Sequence, residues 1–227
     1  MKIIEKLGWI ACFMNAVPVF AQDCTHFLLL QKDKVIEMTI YNKKGEPNGK
    51  QVYAVSDVVN GGGTTTGNLA SELFDKKGKS TAKANSVVKC NGGMMLLDMK
   101  MMLSQQQAEQ YSKAEVKTDN FYLEYPSAMR VGDALKDGNL SLDMNNGGMQ
   151  QTLTMLISNR KVEGQESVTT AAGTWDCFKI SYKSKMSVKT GFISIPFNLD
   201  GMEWYAPGFG LIKSQSKYGG TAITSIK

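Results

Sequence analysis

The sequence predicts a mainly β protein, built as a strongly curved antiparallel sheet or open half-barrel with one short helix. Three observations carry this expectation. Apolar and polar residues alternate over short runs, as in Val35-Ile36-Glu37-Met38-Thr39-Ile40-Tyr41. The runs are broken by corners rich in Gly, Asn and Asp, and a single segment has a helix-favouring composition. Alternation is the period of a strand with one buried face, and such corners turn one antiparallel strand into the next.

Taken in order, Val35 to Tyr41 enters the corner Asn42-Lys43-Lys44-Gly45, and Lys50 to Val59 returns. Leu69 to Phe74 enters Asp75-Lys76-Lys77-Gly78, and Thr81 to Cys90 returns. Both corners place Asn or Asp after an aromatic residue and end in Lys-Lys-Gly: the acidic or amide side chain caps the turn, and Gly takes the positive-φ position. A third corner, Asn91-Gly92-Gly93, leads into Met94 to Met99. Leu103 to Ser112, with its Gln-Gln-Gln-Ala-Glu-Gln core and Ser104 as cap, is the helix. Strands resume at Phe121 to Tyr125 and Val131 to Leu135. Leu140 to Met144 and Met149 to Lys161 flank the hairpin corner Asn145-Asn146-Gly147-Gly148. Gln165 to Thr170 and Thr174 to Val188 meet at a tight corner at Ala172-Gly173, and four further strands follow to Ile226. No Pro/Ser-rich linker divides residues 22–227, which suits one β domain around one core.

Residues 1–21 have the layout of a signal peptide: Lys2 and Lys6, an apolar run from Leu7 to Phe20, and Ala21 at the cleavage position. The run is too short for a stable anchor, and no later segment is long and apolar enough to span a bilayer. A periplasmic or secreted protein is expected, not a lipoprotein, because neither Cys12 nor Cys24 follows a small-residue lipobox. The chain has 26 Lys+Arg and 21 Asp+Glu; without Lys2, Lys6 and Glu5 the formal charge is +4. The lysines are scattered along strands and turns, which argues against nucleic-acid binding.

Three cysteines follow the leader, Cys24, Cys90 and Cys177, and an oxidising compartment pairs two of them. Spacing does not choose the pair. A Cys24–Cys90 bridge would tie down the N-terminal segment and is the favoured expectation, with Cys177 then a buried single thiol.

Several motifs occur in a recognisable order: Cys24; Tyr41-Asn-Lys-Lys-Gly-Glu; Val87-Val88-Lys89-Cys90 before Leu97-Asp98-Met99; Tyr125-Pro126 before Val131-Gly132-Asp133-Ala134-Leu135; Val162-Glu-Gly to Ala172-Gly-Thr-Trp-Asp-Cys-Phe-Lys-Ile-Ser-Tyr182; and Trp204-Tyr-Ala-Pro-Gly-Phe-Gly-Leu-Ile-Lys-Ser214. The set resembles the DUF3108-like family, including proteins labelled TapB-like, exported proteins abundant in Bacteroidota. The resemblance implies an exported half-barrel loosely like bacterial lipoprotein carriers, and supplies no catalytic residues. This chain departs from the pattern at Ala171, where proline is usual, and at Trp175, where a smaller aromatic is usual.

Chemistry-bearing patterns are sparse. Asn60-Gly61-Gly62-Gly63-Thr64 lacks the Gly-Lys-Ser/Thr and the helix of a phosphate loop. There is one histidine, His26, and no Gly-x-Ser-x-Gly elbow. Asp98 with Glu124, and Glu163 with Glu166, are the carboxylate pairs worth weighing for acid/base work, against the plainer reading of solvated acids. Met94, Met95, Met99, Met101 and Met102 raise a copper(I) reading, outweighed by packing or by an adaptable apolar wall. A non-enzyme without cofactor or metal is therefore expected, holding a lipid-like apolar or amphipathic ligand on its concave face. Met95, Leu97, Met99, Met102, Trp175, Trp204, Tyr205 and Phe209 are the candidate contacts. The alternative is an envelope assembly factor acting through a protein partner. A hollow of several hundred cubic ångströms favours the first and a filled interior the second.

Overall fold

The computed structural model describes residues 24–103, 105–111, 113–118, 121–146 and 148–227. The expected leader, its expected cleavage point and the Ser104 cap lie outside them. Fourteen strands form one antiparallel sheet among the described residues. They are β1 (Val35–Asn42), β2 (Pro47–Gly61), β3 (Thr64–Asp75), β4 (Ser80–Asn91), β5 (Met94–Asp98), β6 (Glu115–Val116), β7 (Tyr122–Tyr125), β8 (Ala134–Leu135), β9 (Gly138–Asn146), β10 (Met149–Thr170), β11 (Gly173–Thr190), β12 (Ile193–Ala206), β13 (Gly210–Ser216) and β14 (Gly219–Ile226). The spatial order is β6-β9-β10-β11-β12-β13-β14-β1-β2-β3-β4-β5-β7, with β8 added on β10. Two meanders are therefore joined where β14 pairs with β1. The sheet curls into a half-barrel around its concave face.

The two Lys-Lys-Gly corners have the expected design. Asn42 Oδ1 accepts from the amides of Lys44 (2.9 Å) and Glu46 (3.1 Å), and Asp75 Oδ1 accepts from those of Lys77 (2.8 Å) and Lys79 (2.9 Å). Gly45 and Gly78 both sit at φ +78°, the left-handed position where a Cβ is costly. Those amides also hold the Asp75 carboxyl below its usual range. Gly62-Gly63 and Gly92-Gly93 close the next two hairpins with positive φ at both residues.

Several boundaries differ from expectation, and the four strands expected after Val188 are three, because Ile193–Ala206 runs unbroken as β12. Thr170 pairs with Gly173, so the corner residues are Ala171 and Ala172. The strands expected at Met149 to Lys161 and Gln165 to Thr170 are one continuous β10, because register shifts at Ser158/Lys161 and Val162/Gly164 absorb the Asn159 and Gly164 interruptions as bulges.

Helix α1 (Gln105–Gln110) is shorter than the Leu103 to Ser112 expectation. Met99–Met102 forms a separate 3-10 turn, capped by Asp98 Oδ1 accepting from the Lys100 amide at 2.9 Å. Ala108 of α1 packs with Leu73 and Ala82 in a small satellite cluster, while the main core runs through both meanders.

The N-terminal segment is drawn into the concave face. Leu28–Leu30 forms a 3-10 turn with Leu28 and Leu30 buried, and the Leu28 amide donates to the Phe209 carbonyl at 3.0 Å. Gly67 makes room for it, since a Cβ there would stand 2.6 Å from the Leu29 carbonyl oxygen. Cys24 is bridged to Cys90 on β4, and Cys177 is free and buried. The bridge closes a separation of 66 residues. In the chain-entropy account, Cys24→Ser should therefore lower stability by about 4 kcal/mol, measured by urea unfolding under non-reducing conditions.

Candidate functional site

The concave face is not filled. A cavity of about 790 Å³ lies against it. Alternation on β1 directs Ile36, Met38 and Ile40 into this space; Tyr53 from β2, Leu199 from β12, Leu211 from β13 and Ile223 from β14 complete the walls. The buried Leu28 turn plugs one end. Near the other end, α1 bridges the open side of the half-barrel. Ala108 rests by Leu73 and Ala82, while the Gln107 amide donates to Met186 Sδ and Gln110 donates to Gln151 Oε1 at 3.1 Å. Asn42, Asn48, Phe197 and Tyr218 lie where the walls reach solvent.

A small polar group interrupts this apolar lining. Arg160 of β10 is fully buried and donates from Nη2 to Glu203 Oε1 at 3.2 Å. Its Nη1 donates to the carbonyls of Glu124 (2.9 Å) and Lys136 (3.1 Å). Tyr125 Oη donates to Glu203 Oε2 at 2.9 Å, and the guanidinium lies 4.6 Å from the Tyr125 ring centroid. Tyr125 also stacks on Tyr205, with centroids 4.4 Å apart. Burial, and then the Glu203 charge, holds the Tyr125 phenol well above its ordinary value, so it stays a neutral donor. Burial likewise raises Tyr53, Tyr182 and Tyr205. Asp98, 1% exposed, is raised by burial against the opposing amide and ammonium of Lys100. The wall is thus largely apolar, with buried phenols, two engaged carboxylates, Asp98 and Glu203, and the exposed Glu109 of α1.

The eight candidate contacts divide. Leu97, Met102 and Phe209 line the cavity. Met95 and Met99 do not, being wholly inside the core; Gly138 admits the Met99 thioether, whose sulfur would be 2.7 Å from a Cβ there. Tyr205 is buried in the polar cluster. Trp204 faces away from the cavity between Lys179 and Lys213, its indole N–H donating to Glu166 Oε1. Trp175 packs on Phe209, centroids 5.1 Å apart, and lies outside the lining. The five-methionine cluster is split: Met101 and Met102 are on the wall, Met95 and Met99 in the core.

The carboxylate pairs are engaged separately. Glu124 accepts from Lys136 at 2.6 Å and Asp98 from Lys100; Glu163 accepts from Ser181 at 2.7 Å and Glu166 from Trp204. The β1 wall was legible as alternation. Arg160 and Glu203 were not singled out, although Arg160 is one of only two arginines in the chain, and arginine is the cation best suited to buried pairing.

The model of the DUF3108-like family matches residues 31–225. A crystal structure from Bacteroides fragilis described as a "putative exported protein with YmcC-like fold" is 23% identical, covers 88% of this chain and 98% of its own, and superposes with a TM-score of 0.70. A Parabacteroides distasonis structure described as a "putative lipoprotein" is 22% identical, covers 91% and 100%, and gives 0.73. No curated protein matches.

Two outcomes are expected. Arg160→Met leaves Glu203 buried without its cation and should cost about 3–5 kcal/mol in urea unfolding, while adding Glu203→Leu should recover part of that loss. The Cys177 thiol, 1% exposed and pushed up to about 11 by burial and then by Asp176, should resist iodoacetamide at pH 8 in the folded protein and react after denaturation, as read by mass spectrometry.

Proposed function

We propose that this chain, which belongs to the DUF3108-like family, is a non-catalytic envelope protein that holds an apolar or amphipathic, lipid-like ligand in the hollow of its half-barrel. The observation that carries this reading is the cavity of about 790 Å³, a volume within the range of small-molecule sites, about 300–1,000 Å³. A scaffold acting only through protein contacts has no need of such a hollow.

The lining suits a ligand with one polar end. Ile36, Met38, Ile40, Leu199, Leu211 and Ile223 offer aliphatic surface, and burying each ligand methylene there contributes about 0.8 kcal/mol. Gln51 and Tyr53 supply hydrogen-bonding groups on the same wall. Met101 and Met102 add polarizable, adaptable surface suited to chains of varied length. Catalysis is not part of this reading: Asp98 is committed to Lys100, Glu203 to Arg160 and Tyr125, and the third wall carboxylate, Glu109, is an exposed residue of α1.

Envelope location is supported by the leader-like residues 1–21, by the Cys24–Cys90 bridge, and by the exported or lipoprotein descriptions of the two similar structures.

Native mass spectrometry of protein purified from its own envelope should detect a co-purifying lipid-sized mass. A fluorescent fatty-acid probe should bind the emptied protein. Met101→Trp, which fills the cavity from its wall, should weaken the probe by at least about tenfold, whereas Met95→Leu in the core should leave it unchanged. Probe binding indifferent to Met101→Trp would remove the cavity from the explanation.

A further inference from the structure

The end of the β11–β12 hairpin runs past the body of the sheet. β12 pairs with β13 only from Gly201 to Ala206, so Ile193 to Asp200 has no strand on that side and is hydrogen-bonded to β11 alone. Residues 191–198 are exposed on both faces. Gly191 and Phe192 form the two-residue turn, with Gly191 at φ +57°. Large apolar side chains stand in solvent here: Phe192 is 106% exposed, Ile193 68%, Ile195 66% and Phe197 41%. An apolar cluster of this kind on an otherwise polar surface calls for a covering phase or partner.

Cross-strand register sorts this hairpin into two faces. Thr190 with Ile193, Val188 with Ile195, and Met186 with Phe197 lie on one face, which continues into the cavity through Phe197 and Leu199. Lys189 with Ser194, Lys185 with Asn198, and Lys183 with Asp200 lie on the other. Lys185 and Lys189 face no carboxylate across the hairpin, while Lys183 lies opposite Asp200 at its base. Lys183, Lys185, Lys189 and the neighbouring Lys217 are all exposed. Lys217 also lies over the Tyr218 ring, which packs on Phe197.

We propose that this hairpin end is a docking arm for an anionic phospholipid surface. Phe192, Ile193, Ile195 and Phe197 enter the boundary between headgroups and acyl chains, and the lysines on the opposite face meet lipid phosphates. Amphipathic segments bind membranes through this combination of buried apolar area and basic charge. The lysines on the other face complement an anionic lipid surface, whereas a second copy packed on the apolar face would leave them turned to solvent with no charge to meet. Addition of another strand along the free edge of β12 is opposed by Pro196, which lacks an amide in the middle of that edge. Docking does not require the cavity to hold a ligand, so the two readings fail independently.

The exported, processed protein should co-sediment with mixed phosphatidylglycerol/phosphatidylcholine vesicles. It should bind pure phosphatidylcholine vesicles far less, and added salt should weaken the anionic binding. Phe192→Ser with Ile195→Ser should reduce partitioning by at least about tenfold. Each of Lys185→Gln and Lys189→Gln should reduce it by about fivefold. These side chains are exposed, so thermal unfolding should be unchanged and fatty-acid probe uptake retained. Three outcomes would overturn the arm: no wild-type binding to anionic vesicles, undiminished binding by the Phe192/Ile195 variant, or a wild-type dimer abolished by that same variant.

Discussion

The buried pairing of Arg160 with Glu203 is the constraint on which the shape of this half-barrel depends. An open sheet has two ends, and nothing in a meander makes them approach. Here the guanidinium of β10 reaches the backbone of β7 at Glu124 and the segment before β9 at Lys136, while Glu203 of β12 takes the Tyr125 hydroxyl from β7. One end of the strand order is thereby tied to the interior of the other. Desolvating two charges costs several kcal/mol per ion, and two backbone carbonyls, a phenol and an aromatic face offset that cost. A pair of this kind adds little over a hydrophobic substitute, yet its geometry specifies which strands meet.

The cavity is a consequence of the same curvature. Walls from β1, β2, β12, β13 and β14 face a hollow because their strands bend around it without meeting opposite walls, and the Leu28 turn and α1 occupy only part of the opening. The covering elements are held by different means. The N-terminal plug has a covalent bridge and a hydrogen bond to Phe209, while α1 has one apolar seat and glutamine contacts.

Much of this architecture was legible because it is encoded locally. The corners at Asn42 and Asp75 could be read residue by residue, since cap, lysines and glycine each have one role within five positions. The Cys24–Cys90 bridge was favoured because it would fasten the N-terminal segment, though Cys24 paired with Cys177 would fasten it too and no local pattern chooses between them. The end of α1 was misjudged because good helix composition says little about six residues whose stability comes from packing. Leu97, Met102 and Phe209 lie on the cavity wall, whereas Met95 and Met99, grouped with them by composition, are wholly buried in the core, a difference that composition does not encode. Arg160 and Glu203 are 43 residues apart, and no local pattern announces that distance.

The pairing of β14 with β1 also decides when the hollow is enclosed. Thr39 and Thr224 share a hydrogen bond across 185 positions, and the hollow is walled by these two strands and their neighbours. Most neighbours within each meander are joined by short hairpins, whereas the seam between them closes a loop of nearly the whole chain and carries the largest single loop-closure cost. The hollow is therefore complete only once β14 has closed on β1, in whatever order the hairpins form.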